Sequence, residues 1–173
     1  VSLMPAPECT DVALLTPKVY ADSRGYFYEC HRHLAHGIPP LVQSNVTRSA
    51  RGVLRGLHFQ MIQPQAKLIT VIRGAIYDVA VDVRSGSPTF GQWWGYHLNE
   101  ENHHQVFLPV GFAHGYCVLS EEADVRQDLM ADGRLPFAER AFAAVVCTDV
   151  LEHLENLHQL FDDNNEEAKI LAF

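Results

Sequence analysis

The 173-residue sequence predicts a mainly β protein, a barrel or sandwich with a short, different C-terminal segment. Three observations carry this. Eight of the eleven glycines fall between Gly52 and Gly115, and short β-branched and aromatic runs lie between them. That is the turn-and-strand rhythm of an all-β fold. Residues 75–83 alternate strictly, with Tyr77, Val79, Val81 and Val83 on one face and Asp78, Ala80 and Asp82 on the other, which is the period of a strand. The charge is also uneven. Residues 1–123 carry ten acidic and nine basic side chains, whereas residues 124–173 carry eleven and four. This contrast predicts two segments, 1–123 as the β domain and 124–173 as a divergent acidic tail packed on it.

Taken in order, Leu68–Ile72 reads as a strand, Arg73-Gly74 as a turn and Ala75–Val83 as the next strand. The two aspartates predict that their face of this strand is wet or lines a polar cavity. Gln92–Leu98 and Gln105–Leu108 read as two further strands, with Asn99–His104 as a polar turn between them. Pro39-Pro40 and Ser87-Pro88 mark loops. In the tail, the apolar run Phe142–Cys147 suits a strand buried on both faces. Asp149 and Glu152 are then spaced as a helix cap, and Val150, Leu154, Leu157 and Phe161 follow at helical spacing.

The net charge of −8 argues against nucleic-acid binding, which needs clustered Lys and Arg. No apolar run reaches the length of a membrane span. The cysteines Cys9, Cys30, Cys117 and Cys147 form no CxxC motif. Dispersed reduced thiols of this kind suit a cytoplasmic protein.

Two of the ten histidines stand out. His58 lies in Gly52-Val-Leu-Arg-Gly-Leu-His-Phe-Gln60, close to Arg55 and flanked by glycines that allow close backbone approach. His114 lies in Pro109-Val-Gly-Phe-Ala-His-Gly115, which resembles the second motif of cupin barrels. A metal site is the obvious thought, since imidazole is a common ligand. Gln60, however, stands where the first cupin motif has its second histidine, and Lys67 stands near the position of its carboxylate. A His/Gln/Lys/His set is a poor ligand set for a divalent ion. It suits metal-free carbanion chemistry instead. A neutral histidine takes a proton next to a carbonyl, a fixed cation stabilises the enolate oxygen, and Arg forks onto phosphate. No cofactor is expected.

Longer stretches then resemble the dTDP-4-dehydrorhamnose 3,5-epimerase family. They are Asp22-Ser-Arg-Gly-Tyr-Phe-Tyr-Glu29, Gln43-Ser-Asn45, Gly52–Gln60, Gln65-Ala-Lys-Leu68, Asp78–Arg84, Ser87-Pro-Thr-Phe-Gly91, Glu101-Asn102 and Gly111–Gly115. The resemblance covers residues 11–124 and implies a dimeric, cupin-like jelly roll acting on a dTDP-4-keto-6-deoxyhexose. It implies His58 as the base at C3 and C5 and Lys67 as the stabiliser of the enolate. Arg24 and Arg55 would hold the diphosphate. Gln43, Asn45, Glu29 and Gln60 would line the pocket, Phe27 would stack near the base, and His114 and Asp78 would complete the inner site.

The family's next stretch carries tyrosines, one of them the general acid, whereas this chain has no tyrosine after Tyr116. The competing expectation is therefore a sugar-nucleotide-binding barrel without turnover. Residues 135–154 resemble a strand and helix of class I methyltransferases, but no glycine-rich cofactor loop precedes them.

Overall fold

The computed structural model describes residues 11–32, 38–60, 64–130 and 145–146. Among the described residues twelve strands run in chain order: β1 (Ala13–Leu15), β2 (Val19–Asp22), β3 (Gly25–Tyr28), β4 (Leu41–Ala50), β5 (Leu54–Phe59) and β6 (Ala66–Arg73), then β7 (Ala75–Asp82), β8 (Trp93–Asn99), β9 (Gln105–Leu108), β10 (Phe112–Val118), β11 (Glu122–Met130) and β12 (Val145–Val146). Two five-stranded antiparallel sheets, ordered β1-β9-β6-β11-β4 and β12-β5-β10-β7-β8, face each other as a cupin-like jelly roll. The β2–β3 hairpin stands apart from both sheets.

The predicted strands at 68–72, 75–83, 92–98 and 105–108 are present, extended or trimmed by one or two residues at their ends. Gly74, at φ +80°, makes the tight connection between β6 and β7. A Cβ there would lie 2.2 Å from the carbonyl oxygen of Glu122, so only glycine fits without movement.

The aspartate face of β7 points into the barrel and is buried along its whole length. It is not wet. Ala80 and Ile76 join the apolar core, Asp78 meets His114, and Asp82 is enclosed by Arg84, Ser87 and Thr89. The opposite face is buried too, as Tyr77, Val79 and Val81 pack with Leu57 and Ala113.

The polar turn at 99–104 also holds a surprise. His103 adopts φ 53° and is buried against Tyr26 and Tyr28, with ring centroids 4.8 and 4.7 Å away.

β11 is the partner of both β4 and β6. The expected division at 123/124 falls inside this strand, so the barrel extends at least through Met130. Of the expected tail strand, Val145–Val146 pair with Phe59 and His58 at the edge of the second sheet. The rest of the tail strand and the helix expected after it lie outside the described residues.

The main core fills one end of the barrel with Ile69, Val71, Ile76, Trp94, Leu98, Val106 and Val118. Tyr116 and Val125 belong to this core and also line the cavity at the other end. They form the floor between the two.

Candidate active site

The cavity measures about 320 Å³ and takes its walls from both sheets. β4 offers Asn45 and Thr47, and β11 offers Val125, Gln127 and Leu129. These are alternate residues, as the two-residue period of a strand requires.

β5 breaks that period in a useful way. His58 pairs with His114 and Arg55 with Tyr116, so two residues of β5, Gly56 and Leu57, oppose one of β10, Gly115. This is a β-bulge, and it turns both Arg55 and His58 toward the cavity. Gly56 sits in the bulge at φ +120°. A Cβ on it would come within 2.5 Å of Gly115 Cα, and one on Gly115 within 2.8 Å of the Arg55 carbonyl oxygen. The two glycines let the backbones meet where the histidines are set side by side.

His58 is half-buried. Burial, then the neighbouring Lys67, His114 and Arg55, hold its pKa below the usual histidine value. It is therefore neutral near pH 7 and able to accept a proton. Lys67 is buried and donates to the His58 carbonyl oxygen at 3.2 Å. Burial lowers its pKa to about 8, against the opposing pull of Asp78. His114 Nε2 lies 2.6 Å from Asp78 Oδ2, and both residues are buried. That contact fixes the imidazole's orientation. Asp78 Oδ1 and Gln60 Oε1 are buried acceptors without a hydrogen-bond partner among the described residues. Arg55 is exposed and donates to Ser49 Oγ at 2.8 Å.

Of the residues singled out in the sequence, Asn45, Arg55, His58, Gln60, Lys67 and His114 line the cavity. Asp78 stands behind His114, and Gln43 donates to Asn45 Oδ1 at 3.0 Å. Arg24 and Phe27 lie elsewhere. They line a separate depression on the β2–β3 hairpin, where Arg24 pairs with Asp22 at 2.6 Å. Glu29 pairs with Arg32 beside a third cavity.

Sequence reasoning missed Thr47, Gln65, Tyr116 and Gln127, all in the cavity wall. Alternation outward from Asn45 and His114 would have found Thr47 and Tyr116. Among the described residues no three His, Cys, Asp or Glu side chains come together as a metal-ligand set.

A jelly-roll barrel with a neutral histidine and a buried lysine in one cavity defines a cupin-type barrel equipped for proton transfer. The family model for dTDP-4-dehydrorhamnose 3,5-epimerase matches residues 7–132, and the chain belongs to that family. A dTDP-4-dehydrorhamnose 3,5-epimerase of Pseudomonas aeruginosa is 53% identical over 119 residues, which is 66% of each chain. The crystal structure of the Legionella pneumophila dTDP-6-deoxy-D-glucose-3,5-epimerase, in complex with dTDP-4-keto-L-rhamnose, superposes with a TM-score of 0.68. It is 47% identical, and the match covers 71% of this chain and 68% of that one. The Bacillus anthracis 3,5-epimerase, with TDP and PPi bound, gives a TM-score of 0.69 at 43% identity, covering 75% and 76%.

The matched segment spans 66%, 36% and 63% of the first three curated relatives. The family match ends at residue 132, so it lends no support to the methyltransferase likeness of the tail.

Proposed function

We propose that the protein epimerises a dTDP-4-keto-6-deoxyhexose at C3, C5 or both, in the assembly of rhamnose or a related deoxysugar. The observation that carries this reading is the meeting of a neutral His58 and a buried Lys67 in one cavity of a family member. The relatives' names and bound molecules supply the substrate class.

His58 takes the proton from the carbon next to the ketone, and the electron pair moves onto the ketone oxygen. The Lys67 ammonium stabilises that oxygen. His114, oriented by Asp78, completes the inner wall, and Gln60, Asn45 and Gln43 bind the sugar and nucleotide. Arg55, at the cavity mouth, binds the diphosphate.

The active unit is a homodimer in this reading. Tyr20, Tyr26 and Phe27 on the hairpin are 56%, 58% and 69% exposed, an apolar surface suited to covering by a second copy. Arg24 and Phe27 lie outside their own chain's cavity, so they serve the partner's, with Arg24 on the diphosphate and Phe27 against the base. Glu29, beside a third cavity of its own chain, serves the partner's pocket in the same way. The Arg24–Asp22 pair is exposed and weak, so the guanidinium is free to exchange it for phosphate. No helix among the described residues is long and apolar enough to cross a membrane. The reading places the protein in the cytoplasm, in keeping with the free thiols of Cys30 and Cys117.

Incubation with dTDP-4-keto-6-deoxyglucose in D₂O, followed by proton NMR, tests the proposal. Loss of the C3 or C5 proton signal is expected. Folded protein that exchanges neither proton contradicts it.

A further inference from the structure

Inverting a carbon needs two groups. A base that returns the proton from its own side restores the starting epimer, so a second acid must face the carbon from across the cavity. The described lining residues offer few choices. Lys67 is held to the His58 carbonyl oxygen, and His114 is the register partner of His58 with its Nε2 committed to Asp78. Arg55 does not release its proton in proteins. Tyr116 is the one phenol among these lining residues. Its ring starts on β10, beside His114, and its hydroxyl reaches the opposite sheet, 2.8 Å from Thr47 Oγ1 on β4.

From this placement we infer that Tyr116 is the acid that protonates the enolate from the face opposite His58, with Thr47 as its positioning residue. The inference rests on the epimerase reading above. Either hydroxyl can donate in the 2.8 Å contact; with Thr47 as the donor, the phenol proton is free to point into the cavity. The C–H proton goes to His58, and its electron pair passes to the ketone oxygen. The enolate then re-forms the ketone as its carbon takes the Tyr116 proton. This leaves imidazolium and a tyrosinate stabilised by Thr47. Solvent takes the proton from His58 and returns one to Tyr116, so no other reactant is needed.

The test separates exchange from inversion. Parent protein, Tyr116→Phe, Thr47→Val and Thr47→Ser are each given dTDP-4-keto-6-deoxyglucose in D₂O. Deuterium uptake is read by NMR, and the epimer formed is read by chromatography after borohydride reduction. Tyr116→Phe is expected to keep exchange, through His58 alone, while inversion falls by about 10²–10⁴-fold. Thr47→Val is expected to lower inversion more than exchange, and Thr47→Ser to restore it. This second pair keeps the phenol in place and remains informative should Tyr116→Phe fold poorly. A folded Tyr116→Phe that inverts at the parent rate, or that loses both activities equally, overturns the inference. So does a Thr47→Val that keeps the parent ratio of inversion to exchange. A parent protein that neither exchanges nor inverts overturns the epimerase reading itself.

Discussion

His58 and Lys67 face each other with opposed requirements. The histidine must be neutral to accept a proton, and the lysine must be charged to stabilise an enolate. Burial favours the neutral form of both, and each cation beside His58 lowers its pKa further. The two conditions overlap between a histidine pKa below 6.5 and a lysine pKa of about 8. A plot of kcat/KM against pH is therefore expected to be bell-shaped. Its acid limb, where His58 gains a proton, lies below pH 6.5, and its basic limb, where Lys67 loses one, lies near pH 8. A rate that keeps climbing well above pH 8 would contradict the role of Lys67. This residue-level chemistry was half legible in the sequence. His58, Lys67 and His114 stood in recognisable motifs, because such side chains are rare in strand interiors. Thr47 and Tyr116 carried no motif, and only the packing of one sheet face on the other brings their hydroxyls together.

At the scale of elements, the bulge in β5 is what makes a site from ordinary strands. The sequence marked Gly56 as a point of close backbone approach, yet it could not show that Gly56 faces Gly115 across β5 and β10. Register between strands depends on long-range pairing that a single sequence does not reveal. Gly115→Ala tests the point. Its Cβ would press on the Arg55 carbonyl oxygen at 2.8 Å, and backbone cannot swing aside as a side chain does. A destabilisation of about 1–3 kcal/mol is expected in urea unfolding, with loss of activity as Arg55 and His58 shift. Unchanged stability and activity would show that the contact relaxes freely. The aspartates of β7 teach a related lesson. Asp78 and Asp82 marked a face that was either wet or lining a polar cavity; both are buried, each with a partner, His114 for one and Arg84 with Ser87 and Thr89 for the other. Alternation identified the face correctly and left its environment open, since a paired carboxylate and a solvated one look alike in sequence.

At the scale of the whole molecule, Arg24 and Phe27 lie on a hairpin outside the cavity of their own barrel, and the proposal that a second copy completes the site rests on that placement. In a homodimer with exchanged hairpins, Arg24→Ala and His58→Asn damage different halves of one composite site. Refolding the two variants together should return activity to about a quarter of the parent level, since half the dimers are hybrids with one intact site of two. No recovery would place Arg24 in its own chain's site or in none. The acidic tail had seemed a separate segment from residue 124, but the strand that crosses that point is paired on both sides within the barrel. Charge composition followed the chain and not the fold. The most direct test of the account compares His58→Asn with the parent protein for deuterium uptake at C3 and C5 of dTDP-4-keto-6-deoxyglucose in D₂O. The account predicts uptake by the parent and a loss of about 10²–10⁴-fold in the folded variant. Uptake at the same rate in both would contradict it.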